Sequence, residues 1–282
     1  SLARISVPVL SHPLAGGLGD SSELDRSSGT LLAGRYRVVA HIGKGSFSRV
    51  VQCYDLHDHS MVSVKVLRND KDCIDQGLGE VRLLTRIGAA DPTAEMPVVR
   101  LVDYVYYREH LLVVTELLRD SLFNFYRYLN ATTDAAAASA ASAVGGAKED
   151  GATVDSTAPP PPAVRPVGGA PAYFSEQTLG MLAHQLLEGL AFLHAHCVTH
   201  CDLKPENVCL VSASRRTFKI IDLGSAVLAH DVHNSYVQSR WYRAPEVMLG
   251  LQWDERVDVW GVGCGLAEVI LGAPLFHGAN VS

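Results

Sequence analysis

Between Thr199 and Leu210 the chain reads T-H-C-D-L-K-P-E-N-V-C-L. Asp202, Lys204 and Asn207 place a carboxylate, an ammonium and a side-chain amide within six residues. Pro205 lacks a backbone donor and cannot sit inside a helix, so the segment is expected to be a loop, with the apolar Val208 to Val211 as a short strand after it. Such a loop can gather a hydroxyl, a phosphate and a Mg²⁺ ion. Phosphoryl transfer asks for little more, because it depends on positioning and charge neutralisation rather than covalent chemistry. Read alone, the same residues are ordinary turn formers. Metal binding is a rival reading, because His194, His196, Cys197, His200 and Cys201 crowd just upstream. Zinc sites, however, use paired spacings such as C-x-x-C with a second pair beyond, and none follows here.

The remainder of the chain has to position these groups. Its 282 residues are long enough for one large domain or two lobes. Apolar residues at 48% and charged residues at 19% promise a sizeable core. A net charge of −6 argues against nucleic acid as the main partner. Six cysteines without regular spacing suggest reduced thiols and an intracellular setting, the cytoplasm or the nucleus. The most apolar stretch, Val259 to Phe276, is interrupted by Glu268 and Pro274 and reads as a core helix rather than a membrane span.

Residues 1–33, rich in Ser, Gly, Leu and Pro without a period, read as a disordered arm. From Tyr36 the pattern becomes strand, Gly-rich turn, strand, with Gly43 and Gly45 in the turn and Ser48 where a third glycine of G-x-G-x-x-G would fall. Backbone N–H groups at these glycines could approach a phosphate, although a structural hairpin turn has the same appearance. A strand rather than a helix follows, which excludes a dinucleotide-binding turn. The strand Met61 to Leu67 carries Lys65 between apolar neighbours, so a buried charge needing a partner is plausible. Glu80 offers one, from a helix whose start Gly77 and Gly79 should weaken.

Strands are expected over Val99–Tyr107 and Leu111–Thr115, then a short helix over Ser121–Leu129. The Ala/Ser-, Gly- and Pro-rich stretch 131–172 cannot build a core and reads as a flexible insert. Leu179, Leu182, Leu186, Leu190 and Leu193 then mark one helical face leading to the opening loop. Beyond it lie a strand ending in Asp222-Leu223-Gly224 and a polar, basic and aromatic run from Asn234 to Glu246.

Each motif is weak by itself. The ordered set of Gly-rich turn, Lys65, Glu80, Asp202 with Asn207, Asp222 and Ala244-Pro245-Glu246 resembles a eukaryotic protein kinase from Tyr36 to the end, the insert apart. His200-Cys201-Asp202, Asp222-x-Gly224-Ser225 and Tyr236-Val-Gln-Ser-Arg240-x-Tyr-Arg243 resemble the dual-specificity tyrosine-regulated (DYRK) kinases, and Tyr106 to Leu112 is similar to plant-type members.

The resemblance implies an α+β, two-lobed fold: an N-lobe of antiparallel sheet and one helix (34–118), and a mainly helical C-lobe (119–282) lacking its last helices. It implies ATP and Mg²⁺. Asp202 would orient the substrate hydroxyl and accept its proton. Lys65, tethered by Glu80, would hold the α- and β-phosphates, and Lys204 would steady the γ-phosphate. Asn207 and Asp222 would bind the metal. Ile42, Gly43, Lys44 and Gly45 would cover the nucleotide. Val50, Thr115, Cys209 and Ile221 would line the adenine, and Glu116 and Leu118 would offer it backbone groups. Tyr236 would be the activation-loop tyrosine phosphorylated in cis, with Arg240 and Arg243 as cations for its phosphate.

Protein substrates with Ser/Thr-Pro sites are expected, with Glu206 facing an upstream Arg. The chain is expected to be monomeric, with no nucleic acid or membrane partner. Ser63 and Leu223 depart from the family's usual Ala and Phe, and Thr115 from the bulkier Phe of animal relatives. The chain stops at Ser282, just after the apolar helix, as a truncated kinase would. A catalytically weak scaffold is the alternative to an active enzyme, and a zinc module the more distant one.

Overall fold

The computed structural model describes residues 9–10, 24–45, 48–132, 172–229, 231 and 236–278. Ser46 and Phe47 of the Gly-rich turn, most of the expected arm and nearly all of the insert lie outside these residues. Seven strands form one sheet: β1 (Val9–Leu10), β2 (Leu31–Leu32), β3 (Tyr36–Lys44), β4 (Ser48–Asp55), β5 (Ser60–Leu67), β6 (Leu101–Tyr107) and β7 (His110–Glu116). Their order is β1-β6-β7-β5-β4-β3-β2, with β1 parallel to β6 and the other neighbours antiparallel.

Side chains alternate across a strand, so each face has its own task. Val62, Val64 and Val66 of β5 join Val51, Cys53, Leu112 and Val114 in one small core. Ser63 and Lys65, on the other face, are half-buried.

The N-terminal arm expected to be disordered is in part ordered. Val9 and Leu10 pair with Tyr106 and Tyr107, and Leu24 and Leu32 are buried in the same small core. Arg35 fixes the corner after β2, its guanidinium 2.8 and 2.7 Å from the two oxygens of Asp55 and 2.9 Å from Asp103. Two isolated leucines in polar sequence show no period, which is why this order was not legible.

Helix α1 (Lys71–Ala90) begins well before the glycines thought to weaken its start. Asp70 caps it, accepting the Cys73 N–H at 2.9 Å. Gly77 instead serves packing: a Cβ there would lie 2.7 Å from a methyl of Leu67 and 2.9 Å from one of Leu111. A helix over 122–132 follows the sheet. Next come α3 (Glu176–Ala195), β8 (Val198–Thr199), β9 (Val208–Ser212), β10 (Thr217–Ile220), β11 (Val227–Leu228), α4 (Pro245–Met248) and α5 (Arg256–Leu271). We call the 122–132 helix α2. Ser175 caps α3, and Leu182, Leu186, Leu190 and Leu193 are buried along it. The strands β9 and β10 pair antiparallel, as do β8 and β11.

Gly272, at φ 76°, ends α5 short of the full apolar stretch, because only a residue without Cβ takes that conformation freely. Among the described residues no helix is long and apolar enough to cross a membrane. Gly261 sets how closely α5 approaches the 199–210 loop: a Cβ there would sit 2.9 Å from the Leu203 carbonyl oxygen. Backbone cannot swing aside as a side-chain tip can. Gly261→Ala should therefore lower stability by about 1–3 kcal/mol in urea unfolding, whereas the exposed-side Gly263→Ala should not.

Candidate active site

The loop that follows β8 is held by one buried carboxylate. Asp258, near the start of α5 and fully buried, accepts the backbone N–H of His200 at 2.8 Å and of Cys201 at 2.9 Å. It also accepts from His194 Nε2 at 2.8 Å. These bonds hold Cys201 at φ 63°, in the left-handed region that non-glycine residues seldom occupy. The His200 ring links the loop to the strand beyond: its Nε2–H donates to the Ile221 carbonyl at 2.9 Å, and its Nδ1 accepts the Asp202 N–H at 3.2 Å.

This geometry overturns the zinc reading. Each histidine of that cluster has at least one ring nitrogen committed to a hydrogen bond, His200 both, and His196 Nδ1 donates to the Phe192 carbonyl at 2.8 Å. Cys201 is buried, which pushes its thiol pKa up and away from the thiolate that zinc needs. Among the described residues no group of three His, Cys, Asp or Glu side chains could hold a metal ion.

Asp202 is positioned from four directions. Lys204 Nζ donates to Oδ2 at 2.7 Å, and Ser239 donates to Oδ1 from its backbone N at 3.1 Å and its hydroxyl at 2.6 Å. Asn207 Nδ2 reaches Oδ2 at 3.2 Å and the Asp202 carbonyl at 2.8 Å. Asn207 is itself fixed through its own carbonyl, which accepts the Ile221 N–H at 2.9 Å. Its amide nitrogen being so used, the amide oxygen is left to act as a ligand.

Across the cleft, Lys65 Nζ lies 2.8 Å from Glu80 Oε2 and 2.7 Å from Asp222 Oδ1. Glu80 is buried on α1. Burial alone would lower the Lys65 pKa, but Glu80 and Asp222 outweigh it and hold it above the ordinary lysine value. Burial also raises the Glu80 carboxyl, only partly countered by Lys65. At Asp222 burial pulls upward, but Lys65 prevails and the pKa falls below the usual carboxylate value. Asp222 sits at φ 61° and accepts the Gly224 N–H at 3.3 Å. Leu223 beside it is buried in the main core, as an apolar substitute should be. Two oxygen donors, Asn207 and Asp222, suit Mg²⁺ shared with substrate phosphates better than a full protein cage would.

The residues expected to bind the nucleotide lie on β3, β4, β5, β7 and β9 and in the segments that follow β3, β7 and β10. Gly43 pairs with Val50 and Lys44 with Arg49, while Gly45 N–H donates to the Ser48 carbonyl at 3.0 Å. A Cβ on Gly45 would lie 3.3 Å from Ser48 Oγ, so the hairpin is tight there. Val50 stands opposite Lys65, and Thr115 opposite Ser63. Ile42 and Lys44 are exposed. After Glu116 the chain leaves the sheet through Leu118, and Arg119 N–H donates to the Leu210 carbonyl at 2.8 Å, beside Cys209.

Tyr236 is exposed and lies under the Arg243 guanidinium, 3.8 Å from the ring centroid. Arg243 also donates to the Val237 and Gln238 carbonyls, at 2.9 and 2.8 Å. Arg240 is exposed at the head of the turn Arg240–Tyr242. Glu206 is more enclosed than a surface carboxylate: its Oε2 is buried without a hydrogen-bond partner among the described residues, and burial raises its pKa. An open cavity of about 460 Å³ is lined by Asp202, Gly224, Tyr236, Gln238 and Ser239, among others.

Two positioning residues were missed in the sequence. Ser239 orients Asp202, and Gln76 of α1 donates to the Gly224 carbonyl at 2.8 Å, tying the helix to the Asp222 turn. Gln76 lies one turn before Glu80 on the same helix face, a spacing that could have signalled it; Ser239 stood within the Tyr236 to Arg243 run without a role assigned to it.

The two-lobed fold is that of a protein kinase domain, and the comparisons agree. A protein kinase domain matches residues 36–147 and 168–282. The chain belongs to the protein kinase family. It is 34% identical over 252 residues to the DYRK-family kinase pom1 of Schizosaccharomyces pombe, covering 89% of this chain and 20% of that protein. It is 32% identical over 252 residues to the probable serine/threonine-protein kinase dyrk2 of Dictyostelium discoideum, covering 88% and 23%. It is 33% identical over 249 residues to dual specificity tyrosine-phosphorylation-regulated kinase 3 of Macaca fascicularis, covering 88% and 37%. The chain thus spans about a fifth to a third of the length of these relatives.

The Lys65 junction predicts a pH signature. Glu80 is raised in the folded state, so the unfolded chain releases that proton first and stability falls as pH rises through the folded value. Lys65 holds this loss down. Lys65 also holds Asp222 ionised, so Lys65→Met should lose stability relative to the parent increasingly as pH rises from about 4, by about 3 kcal/mol or more at neutral pH. Denaturant melts across that range check the divergence.

Proposed function

We propose that this chain transfers the γ-phosphoryl group of ATP to Ser or Thr hydroxyls of protein substrates, as a kinase of the DYRK type. The observation that carries the reading is the convergence of Lys65, Glu80, Asp202 with Asn207, and Asp222, from four separate stretches of sequence, on one cleft. Lys65 holds the α- and β-phosphates. Asn207 and Asp222 would hold Mg²⁺, which would neutralise phosphate charge. Asp202 takes the proton as the hydroxyl oxygen bonds to phosphorus and the bond to ADP breaks. Lys204 steadies the γ-phosphate. Gly43 and Gly45, flanked by Ile42 and Lys44, cover the triphosphate. Glu116 and Leu118 offer backbone groups to adenine, with Val50, Thr115, Cys209 and Ile221 around its ring.

Substrate choice follows from two further features. Gln238 is held at φ 68° with its carbonyl turned to Arg243. A residue following the acceptor hydroxyl then loses an acceptor for its own N–H, and Pro has none to lose. The unpartnered Glu206 oxygen favours an upstream Arg. Tyr236, already beside Arg243, is the site of autophosphorylation, and Arg240 adds a second cation. Cys201, apolar and buried, offers no charge for sensing that phosphate, so activity is constitutive once Tyr236 is modified.

Mass spectrometry after incubation with ATP and Mg²⁺ should find phosphate on Tyr236 and on Ser/Thr-Pro peptides. Asp222→Asn should abolish both, and Asp202→Asn should slow transfer about 10²–10⁴-fold. Phosphate incorporation unaffected by Asp222→Asn would overturn the reading. Tyr236→Phe keeps the ring under Arg243 and removes only the acceptor oxygen. Freshly made Tyr236→Phe should be clearly less active; equal activity would remove the role given to that tyrosine.

A further inference from the structure

The residue at which the sheet hands the chain to the C-lobe is clasped from both sides. Glu116 ends β7 and pairs with Val62 of β5. Its backbone N–H donates to the Arg100 carbonyl at 3.1 Å, and the Arg100 N–H returns to Glu116 Oε1 at 2.8 Å. The same Oε1 accepts from Lys219 Nζ at 2.6 Å. Lys219 belongs to β10, which packs in the C-lobe beside α3. The lysine side chain is 12% exposed and the glutamate 25%, so water screens this ion pair only in part. The neighbouring backbone makes the same lobe-to-lobe join: Val99 N–H donates to the Ile220 carbonyl at 2.8 Å, and Ile220 N–H to the Pro97 carbonyl at 2.9 Å. One carboxylate oxygen is therefore shared by an N-lobe amide and a C-lobe ammonium, at the residue expected to present its backbone to the nucleotide base.

We propose that Lys219 is a positioning residue for the adenine base, acting through the Glu116 carboxylate to fix the backbone the base meets. The inference rests on the kinase reading and deepens it. Without the ammonium, the Glu116 side chain keeps only its bond from the Arg100 N–H, and the residue is held less firmly against β10. The triphosphate contacts and Asp202 stand elsewhere and are untouched. The consequence is confined to the base: weaker nucleotide binding at nearly unchanged chemistry.

Steady-state kinetics on the full chain, with adenosine titrated by calorimetry, tests this. Lys219→Met should raise KM for ATP about tenfold, with kcat and KM for the peptide within about twofold, and weaken adenosine by the same factor as ATP. Lys219→Arg should retain affinity, and Glu116→Gln, which keeps an acceptor for the Arg100 N–H, should weaken adenosine with little further loss when it is joined to Lys219→Met. Thermal melts establish which variants fold; if the Met variant does not, Lys219→Gln carries the comparison. Unchanged adenosine affinity, a joint fall of kcat and peptide affinity, or fully additive losses in the combined variant would each overturn the proposal. A parent chain without phosphoryl transfer would tell against the kinase reading alone, because the adenosine titration still decides this one.

Discussion

An ammonium 2.8 Å from one carboxylate and 2.7 Å from another joins the two halves of this molecule. Each of these charges is costly to bury, by several kcal/mol even after relaxation, and none of the three is tolerable in place without the others. Lys65 comes from β5, Glu80 from α1, and Asp222 from the turn after β10. Withdrawing α1 would carry Glu80 away and leave the Lys65 ammonium with Asp222 alone. The pose of the helix, the strand and the turn is thus one coupled quantity. Other contacts bias it the same way: the Asp70 cap, Gly77 seated against Leu67 and Leu111, and the Gln76 bond to the Gly224 carbonyl. A buried ion cluster is weak evidence for stability, and apolar residues would often do as well. Its retention beside a cleft is better explained by chemistry that needs a fixed cation there.

The C-lobe half is organised on the same principle with a different donor set. Asp258 is buried, yet it is stabilised by two backbone amides and an imidazole, and those amides belong to the loop carrying Asp202. Holding Cys201 at φ 63° costs of order 1–3 kcal/mol, offset by hydrogen bonds to a charged acceptor. The loop's shape therefore comes from within the C-lobe and not from a surface phosphate pairing with a catalytic-loop arginine. Gly261 is part of the same arrangement, since the Leu203 carbonyl occupies the space its side chain would fill.

Much of this was legible in the sequence because kinase chemistry recruits residues from short, ordered motifs. Asp202 and Asn207 are five apart, and Lys65 stands out as a charge in an apolar strand. The leucines of α3 announced their helix by period alone. The rest needed the third dimension. Glycines 77 and 79 argued for a frayed helix start, because propensity is a local statement and the Asp70 cap and the leucine contacts that override it are not. Ser239 lies 37 positions from Asp202 and Lys219 lies 103 from Glu116, with no pattern to connect either pair. The histidines and cysteines near the loop looked like ligands because composition shows donors and hides their partners. Leu24 and Leu32 looked like scattered apolar residues until the sheet supplied a surface to cover.

One corner of the C-lobe keeps an imbalance that the fold does not need. Glu268 is buried and accepts from the Tyr126 and Tyr242 hydroxyls, which satisfies it and pushes both phenol pKa values up, burial first and the carboxylate second. Glu206 stands close enough that Glu268 raises its pKa further, after burial, and Lys204 offsets only part of this. Its Oε2 remains unpaired. An enclosed acceptor without a donor costs about 1–3 kcal/mol, and a neutral residue of similar shape would remove that cost. The cost is recovered only when a cation arrives, and most fully when a planar guanidinium brings several donors at once. On the proposed reading, a residue carried at such a loss in the free protein would raise the affinity difference between substrates that supply the cation and substrates that do not.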